Sequence, residues 1–163
     1  MNFITLLRLA HILSAIFWVG TTLFMLFFLE PVIKRAGQAG AQIMQMLATT
    51  RFPQVIGLSG IITVLAGLVM YWRMYGFYPA TMLGPKLPLT LGALAGFLAA
   101  ITGFAFQNRA AKALSALGAE ITAQNSPPTP EQMAQMQAHQ GRIALGTRIA
   151  TILMIIAIIG MVM

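Results

Sequence analysis

Residues 3–29, FITLLRLAHILSAIFWVGTTLFMLFFL, form an unbroken apolar run longer than the roughly 20 helical residues needed to cross a hydrocarbon core of about 30 Å. Within it stand Arg8, His11, Ser14, Thr21 and Thr22, which lipid cannot satisfy. On a helix turning about 100° per residue, His11, Ser14, Ala15, Trp18, Thr21, Thr22 and Met25 fall within about a third of the circumference, with Arg8 at the margin. Leu6, Leu9, Leu13, Ile16, Gly20, Leu23 and Phe27 take the other side. The polar stripe should therefore face the interior of a bundle, with His11 pointing inward about two turns below the membrane surface.

The rest of the chain agrees with that start. Of 163 residues, 58% are hydrophobic and 8% charged, with only three acidic side chains, a composition that excludes a water-soluble domain. Three more apolar stretches, near 54–74, 87–108 and 142–163, are long enough to cross a membrane. The expectation is an all-α membrane protein: one transmembrane domain over residues 1–163, folded as an antiparallel four-transmembrane-helix bundle in a lipid bilayer. The first stretch exceeds a signal-peptide h-region and lacks a small-residue cleavage site after it, so it is expected to be retained. Gly92, Gly96 and Ala100 on the third stretch, and Gly60 and Gly67 on the second, mark faces where backbones approach closely, which points to a bundle, a homo-oligomer or a subunit of a larger membrane complex.

The connections differ in kind. Residues 30–53 open with Pro31 and include GAQIMQMLATTRFP, a weakly amphipathic stretch suited to the interface. Residues 75–86 read as a short aromatic turn at the headgroup level. Residues 109–141 read as an extended helical hairpin between the third and fourth spans: NRAAKALSALGAEITAQ continues the third helix and NSPPTP breaks it. Thr129 then caps a new helix, with Pro130 at its first position and Gln132 as capping-box partner.

The net charge of +7 does not point to nucleic acid, because the basic residues stand singly at span ends with no interleaved aromatic patch. Lys34, Arg35, Arg51, Arg109, Lys112, Arg142 and Arg148 share one side of the expected bundle, against Arg8, Arg73 and Lys86 on the other. The positive-inside rule then places both termini outside. With no cysteine, the chain has no disulfide, thiolate metal site or covalently attached haem.

In an antiparallel bundle Arg8, His11, Arg73 and Lys86 lie on one side of the membrane, while His139 begins the fourth helix on the other. Geometry therefore disfavours ligation of one iron by both histidines of a subunit. Haem b suits the remaining set: the iron takes His11, the anionic propionates take Arg8, Arg73 and Lys86, and Trp18 packs against the macrocycle. The sixth position falls to Met70 or Met74, or stays open.

Two other readings stand beside it. Most of the twelve methionines read as gap-fillers, but Met70 and Met74, one turn apart, could join His11 as soft ligands to copper. Alternatively His11 bonds a backbone carbonyl of a neighbouring helix and the cations are snorkelling anchors, which leaves a cofactor-free structural subunit. His139, with Met133 and Met136, reads as solvated surface. No nucleophile–base pair, phosphate loop, carboxylate dyad or zinc spacing is present.

LRLAHILSAIFWVGTTLFMLFFLEPVIKR resembles the first helix of the copper-resistance D and HemJ-type membrane proteins. Shared features are an early His, Trp-x-Gly about two turns later, and an aromatic-rich run ending in Pro and basic residues. GPKLPLTLGALAGFLAAITGFAFQNRAAKAL is similar to their later element, opened by Lys-Leu and closed by Asn-Arg. The resemblance implies a multi-helix bundle of the bacterial-type inner membrane with functional positions at His11 and Lys86. It implies either haem b and an oxidoreductase activity on protoporphyrinogen, or copper handling. The chain lacks the additional helix histidines of the first group and the dense His and Met pattern of the second. That departure favours a haem-carrying or accessory role.

Overall fold

The computed structural model describes residues 2–124 and 126–163, and within them every regular element is helical. Four helices are long and apolar enough to cross a membrane: Phe3–Ala36, Phe52–Tyr75, Leu87–Ala123 and Pro130–Val162, here the first to fourth spans. A helix at Gln38–Thr49 and a single turn at Pro79–Met82 complete the set.

Local chemistry sets the ends. Asn2 caps the first span by accepting the Thr5 backbone N–H at 2.8 Å. Gly37 and Gly76, both at positive φ, close the first and second spans with a backbone conformation that side chains with a Cβ resist. The capping box at Thr129 forms in full: its hydroxyl accepts the Gln132 N–H, and the Gln132 side chain accepts the Thr129 N–H. The third helix does continue past the apolar stretch to Ala123, and the break before Pro130 includes Asn125, which lies outside the described residues.

The first span overruns its expected end. Pro31, read from sequence as the opening of a loop, lies inside a helix that continues to Ala36. A proline in a helix interior lacks the N–H and crowds the carbonyl one turn earlier. Here the preceding turn, Met25–Leu29, is widened to a π-turn, with the Glu30 N–H bonded to the Met25 carbonyl, and so takes up the misfit. Glu30 then pairs with Lys34 one turn on. A second π-turn, Thr102–Gln107, interrupts the third span.

What is buried is small and what is exposed is large. Ala66, Ala95, Ala99, Ala150 and Ala157 are core residues, whereas Leu13, Ile16, Phe27 and Phe28 are each more than half exposed. A water-soluble helical protein does the reverse; small residues inside and long apolar ones outside suit helices packed within lipid. On the first span the division follows the sequence pattern. Leu6, Leu9, Leu13, Ile16 and Phe27 are exposed, and His11, Ser14, Trp18 and Thr22 turn inward.

The first span packs along the second and the third along the fourth, with shorter contacts between these two pairs. Residue pairing fixes each register. His11 lies against Gly67 and Trp18 against Gly60; on the other pair, Gly92 lies against Gly160 and Gln107 against Gly146.

Candidate functional site

The first two spans meet over a small polar seam. His11 is half-buried, and its Nδ1 lies 2.7 Å from the backbone carbonyl of Thr63. A carbonyl can only accept, so Nδ1 carries the proton and Nε2 keeps its lone pair in the neutral ring. The Thr63 side chain continues the seam: its Oγ1 is 2.9 Å from Ser14 Oγ and 2.8 Å from the Ser59 carbonyl. Ser14 Oγ in turn donates to the Ala10 carbonyl at 2.6 Å. His11 Nδ1, Ser14 and Thr63 thus find partners within the protein, as the hydrocarbon region demands.

The imidazole has room because position 67 is glycine. A Cβ there would stand 2.9 Å from His11 Cε1 and 3.0 Å from Nδ1. Two turns along, the Trp18 indole lies on Gly60, where a Cβ would stand 3.1 Å from Cε2. Glycines on the second span therefore seat the two largest members of the stripe. Sequence reading placed both glycines on one side of that helix but passed over Ser59 and Thr63. Their four-residue spacing among glycines is the signal that would have found them.

The remaining candidate residues are spread along the same end of the molecule. Arg8, one turn from His11, and Arg73 are both exposed. Lys86 is placed by an aromatic contact: its Nζ lies 4.9 Å from the centre of the Tyr75 ring, two residues beyond Arg73. Tyr75 is eight residues beyond Gly67, about 12 Å along the helix, so Lys86 belongs to a cluster two turns from the imidazole. In that cluster Tyr71 packs against Tyr75 and Phe77, and its hydroxyl bonds Thr90 Oγ1 at 2.6 Å. Thr90 Oγ1 donates to the Lys86 carbonyl, fixing the start of the third span.

Met70 is half-buried and Met74 exposed. The register that sets His11 against Gly67 brings Met70 level with Arg8 and Met74 level with Ile4, the next turn out. Trp18 faces the other way along the bundle, into a cavity of about 250 Å³ that it shares with Thr22, Gly60, Phe104, Gln107 and Met154. His11 does not line that cavity.

His139 departs from its expected solvated state. It is half-buried on the fourth span, and its Nδ1 is buried with no hydrogen-bond partner among the described residues. Among the described residues no group of three or more His, Cys, Asp or Glu side chains gathers in one place. A metal at His11 would have a single imidazole from this chain, completed by thioether or by exogenous ligands. Comparison with known protein families, with characterised proteins and with solved structures gives no match for this chain.

Proposed function

We propose that this chain is a redox-linked protein of the bacterial-type inner membrane, an antiparallel four-helix bundle with both termini outside, whose His11 is an axial ligand to haem b. The observation that carries the reading is the Nδ1–H bond from His11 to the Thr63 carbonyl. Ligating histidines commonly donate their other ring N–H to a carbonyl or carboxylate, which fixes tautomer and ring orientation and raises the basicity of the free nitrogen. The paired register of each hairpin and the excess of Lys and Arg on the loops at 30–53 and 109–141 support the topology.

The donor chemistry fits: one neutral imidazole nitrogen, with Arg8 and Arg73 exposed on the same end of the first two spans to pair with carboxylates. The interior cavity does not admit the macrocycle, since about 250 Å³ lies below the usual range for even a drug-sized pocket. The group would be held at the outward end, by His11 and by the exposed cations, and not in the centre of the bundle. Haem b would supply one-electron chemistry there. The chain's own part is to present Nε2, to hold Nδ1 protonated through Thr63, and to keep the seam dry.

A copper site using His11 and Met70 is the second reading, favoured by the register that brings Met70 within one turn of the imidazole on the facing helix. The same Thr63 bond also serves a purely structural histidine, so the test must separate all three. The reduced-minus-oxidised visible spectrum of the full chain, produced with ample haem and compared with His11→Ala, is expected to show a Soret shift and a sharp alpha band that the variant loses. Bound copper without colour, lost in both His11→Ala and Met70→Leu, would establish the copper reading. A featureless, metal-free protein would leave His11 as an interhelical tie and overturn both.

A further inference from the structure

Between the second and third spans, where the two helical hairpins adjoin, runs a void of about 380 Å³ that the His11 reading does not use. Gln54, Leu58 and Ile61 line it from the second span, and Phe104, Asn108 and Lys112 from the third. The residues are graded along the helices. Gln54 stands in the first turn of the second span, with Leu58 and Ile61 one and two turns deeper. Phe104 belongs to the apolar part of the third span, and Asn108 and Lys112 follow one and two turns further out, about 12 Å away at the last. A Cβ on Gly57 would stand 3.8 Å from Phe104 Cε1, so the apolar members of the two helices meet. The void thus has a polar, cationic end and an apolar end, the division found in an amphiphile.

The apolar end opens to lipid. Leu58, Ile61 and Phe104 are all exposed on the surface of the chain, which on a membrane helix means exposed to acyl chains. The polar end has one sign of charge. Lys112 lines it; Arg51, three residues before Gln54, and Arg109, one turn before Lys112, are exposed nearby in sequence. None of the three acidic residues of the chain lines the void: Glu30 pairs with Lys34, Glu120 lies two turns beyond Lys112, and Glu131 is on the fourth span. Among the described residues Lys112 enters no ion pair. Basic pockets between membrane helices attract anionic headgroups, and a lysine beside a phosphate acts as a point charge. A zwitterionic head would bring its own cation to the same rim.

We propose that this groove holds one anionic diacyl phospholipid from the leaflet on the side of the 30–53 and 109–141 loops. Its phosphate lies beside Lys112 and one acyl chain follows Leu58, Ile61 and Phe104, while the second chain stays in the bilayer. The lipid is then a joint between the two hairpins. The site is independent of any group on His11.

The test uses the full chain, purified in dodecyl maltoside without added haem or copper, and native mass spectrometry with phosphatidylglycerol and phosphatidylcholine of identical acyl chains. One phosphatidylglycerol is expected to bind saturably, at least about fivefold more tightly than phosphatidylcholine. Lys112 is exposed, so Lys112→Gln should leave the fold intact while removing that preference, and Lys112→Arg should keep it. Arg35→Gln removes an exposed cation that does not line the void and should change nothing. Gly57→Leu fills the groove from the second span and should weaken both lipids about tenfold. His11→Ala should give the wild-type curves, so the fate of the His11 reading does not decide this one. Equal binding of the two lipids, a preference that survives Lys112→Gln, or binding unmoved by Gly57→Leu would overturn the proposal. So would a preference lost as readily in Arg35→Gln, which would reduce it to the net charge of the chain. Displacement of phosphatidylglycerol by palmitate at equal or lower concentration would also overturn it, by showing that a single-chain carboxylate is the occupant.

Discussion

The two helical hairpins of this molecule differ in their closest contacts, although each also seats a side chain on glycine, Gln107 on Gly146 in the second. Between the third and fourth spans, backbone meets backbone: a Cβ on Gly160 would stand 2.5 Å from the Pro88 carbonyl oxygen and 2.8 Å from Gly92 Cα, and one on Gly92 would stand 2.9 Å from the Ala157 carbonyl oxygen. Between the first and second spans, side chain meets glycine: the imidazole of His11 and the indole of Trp18 fill the spaces above Gly67 and Gly60. A backbone contact has no rotamer to yield, so the second hairpin is a rigid frame. The first hairpin spends its glycines on seating polar and aromatic groups, the groups on which the proposed haem site rests.

Substitutions that add one methyl group should expose the difference, read as stability in a detergent unfolding titration. Gly160→Ala is expected to be the most damaging, by about 3 kcal/mol or more, because neither facing backbone can move aside. Gly67→Ala should cost less, about 2 kcal/mol, since the imidazole can swing away, but only by giving up the Thr63 bond. If haem binds at His11, this variant should also lose the alpha band without any change to the ligand itself. Ser14→Ala removes one interhelical contact to Thr63 and should cost about 0.6 kcal/mol. Gly20→Ala should cost nothing measurable, because among the described residues nothing lies within 4 Å of the added carbon. Equal losses at Gly160 and Gly67 would erase the distinction between the hairpins.

How much of this could be read from the chain depends on which forces were at work. The spans, the inward turn of His11 and Trp18, and the Thr129–Gln132 cap follow from periodicity and local hydrogen bonding, both written in adjacent residues. The extension through Pro31 was not legible, because the π-turn that absorbs it is a property of the widened backbone and has no sequence signature of its own. The set around His11 was only half legible. Residue order placed Arg8, Arg73 and Lys86 on one side of the membrane, but which neighbour captures Lys86 depends on the Tyr71, Tyr75 and Phe77 cluster, a tertiary contact. The cavity was invisible for the same reason: Trp18, Gln107 and Met154 come together only when all four spans pack.

The central claim is that the Thr63 carbonyl holds the proton on Nδ1 of His11 and leaves Nε2 as the free base. Nitrogen-15 NMR of the haem-free chain, labelled at histidine and carrying His139→Gln so that one ring remains, reads this directly at neutral pH. The account predicts a protonated, pyrrole-type Nδ1 beside an unprotonated, pyridine-type Nε2. A proton on Nε2 alone, or on both nitrogens, would contradict it and remove the ligand on which the proposed function rests.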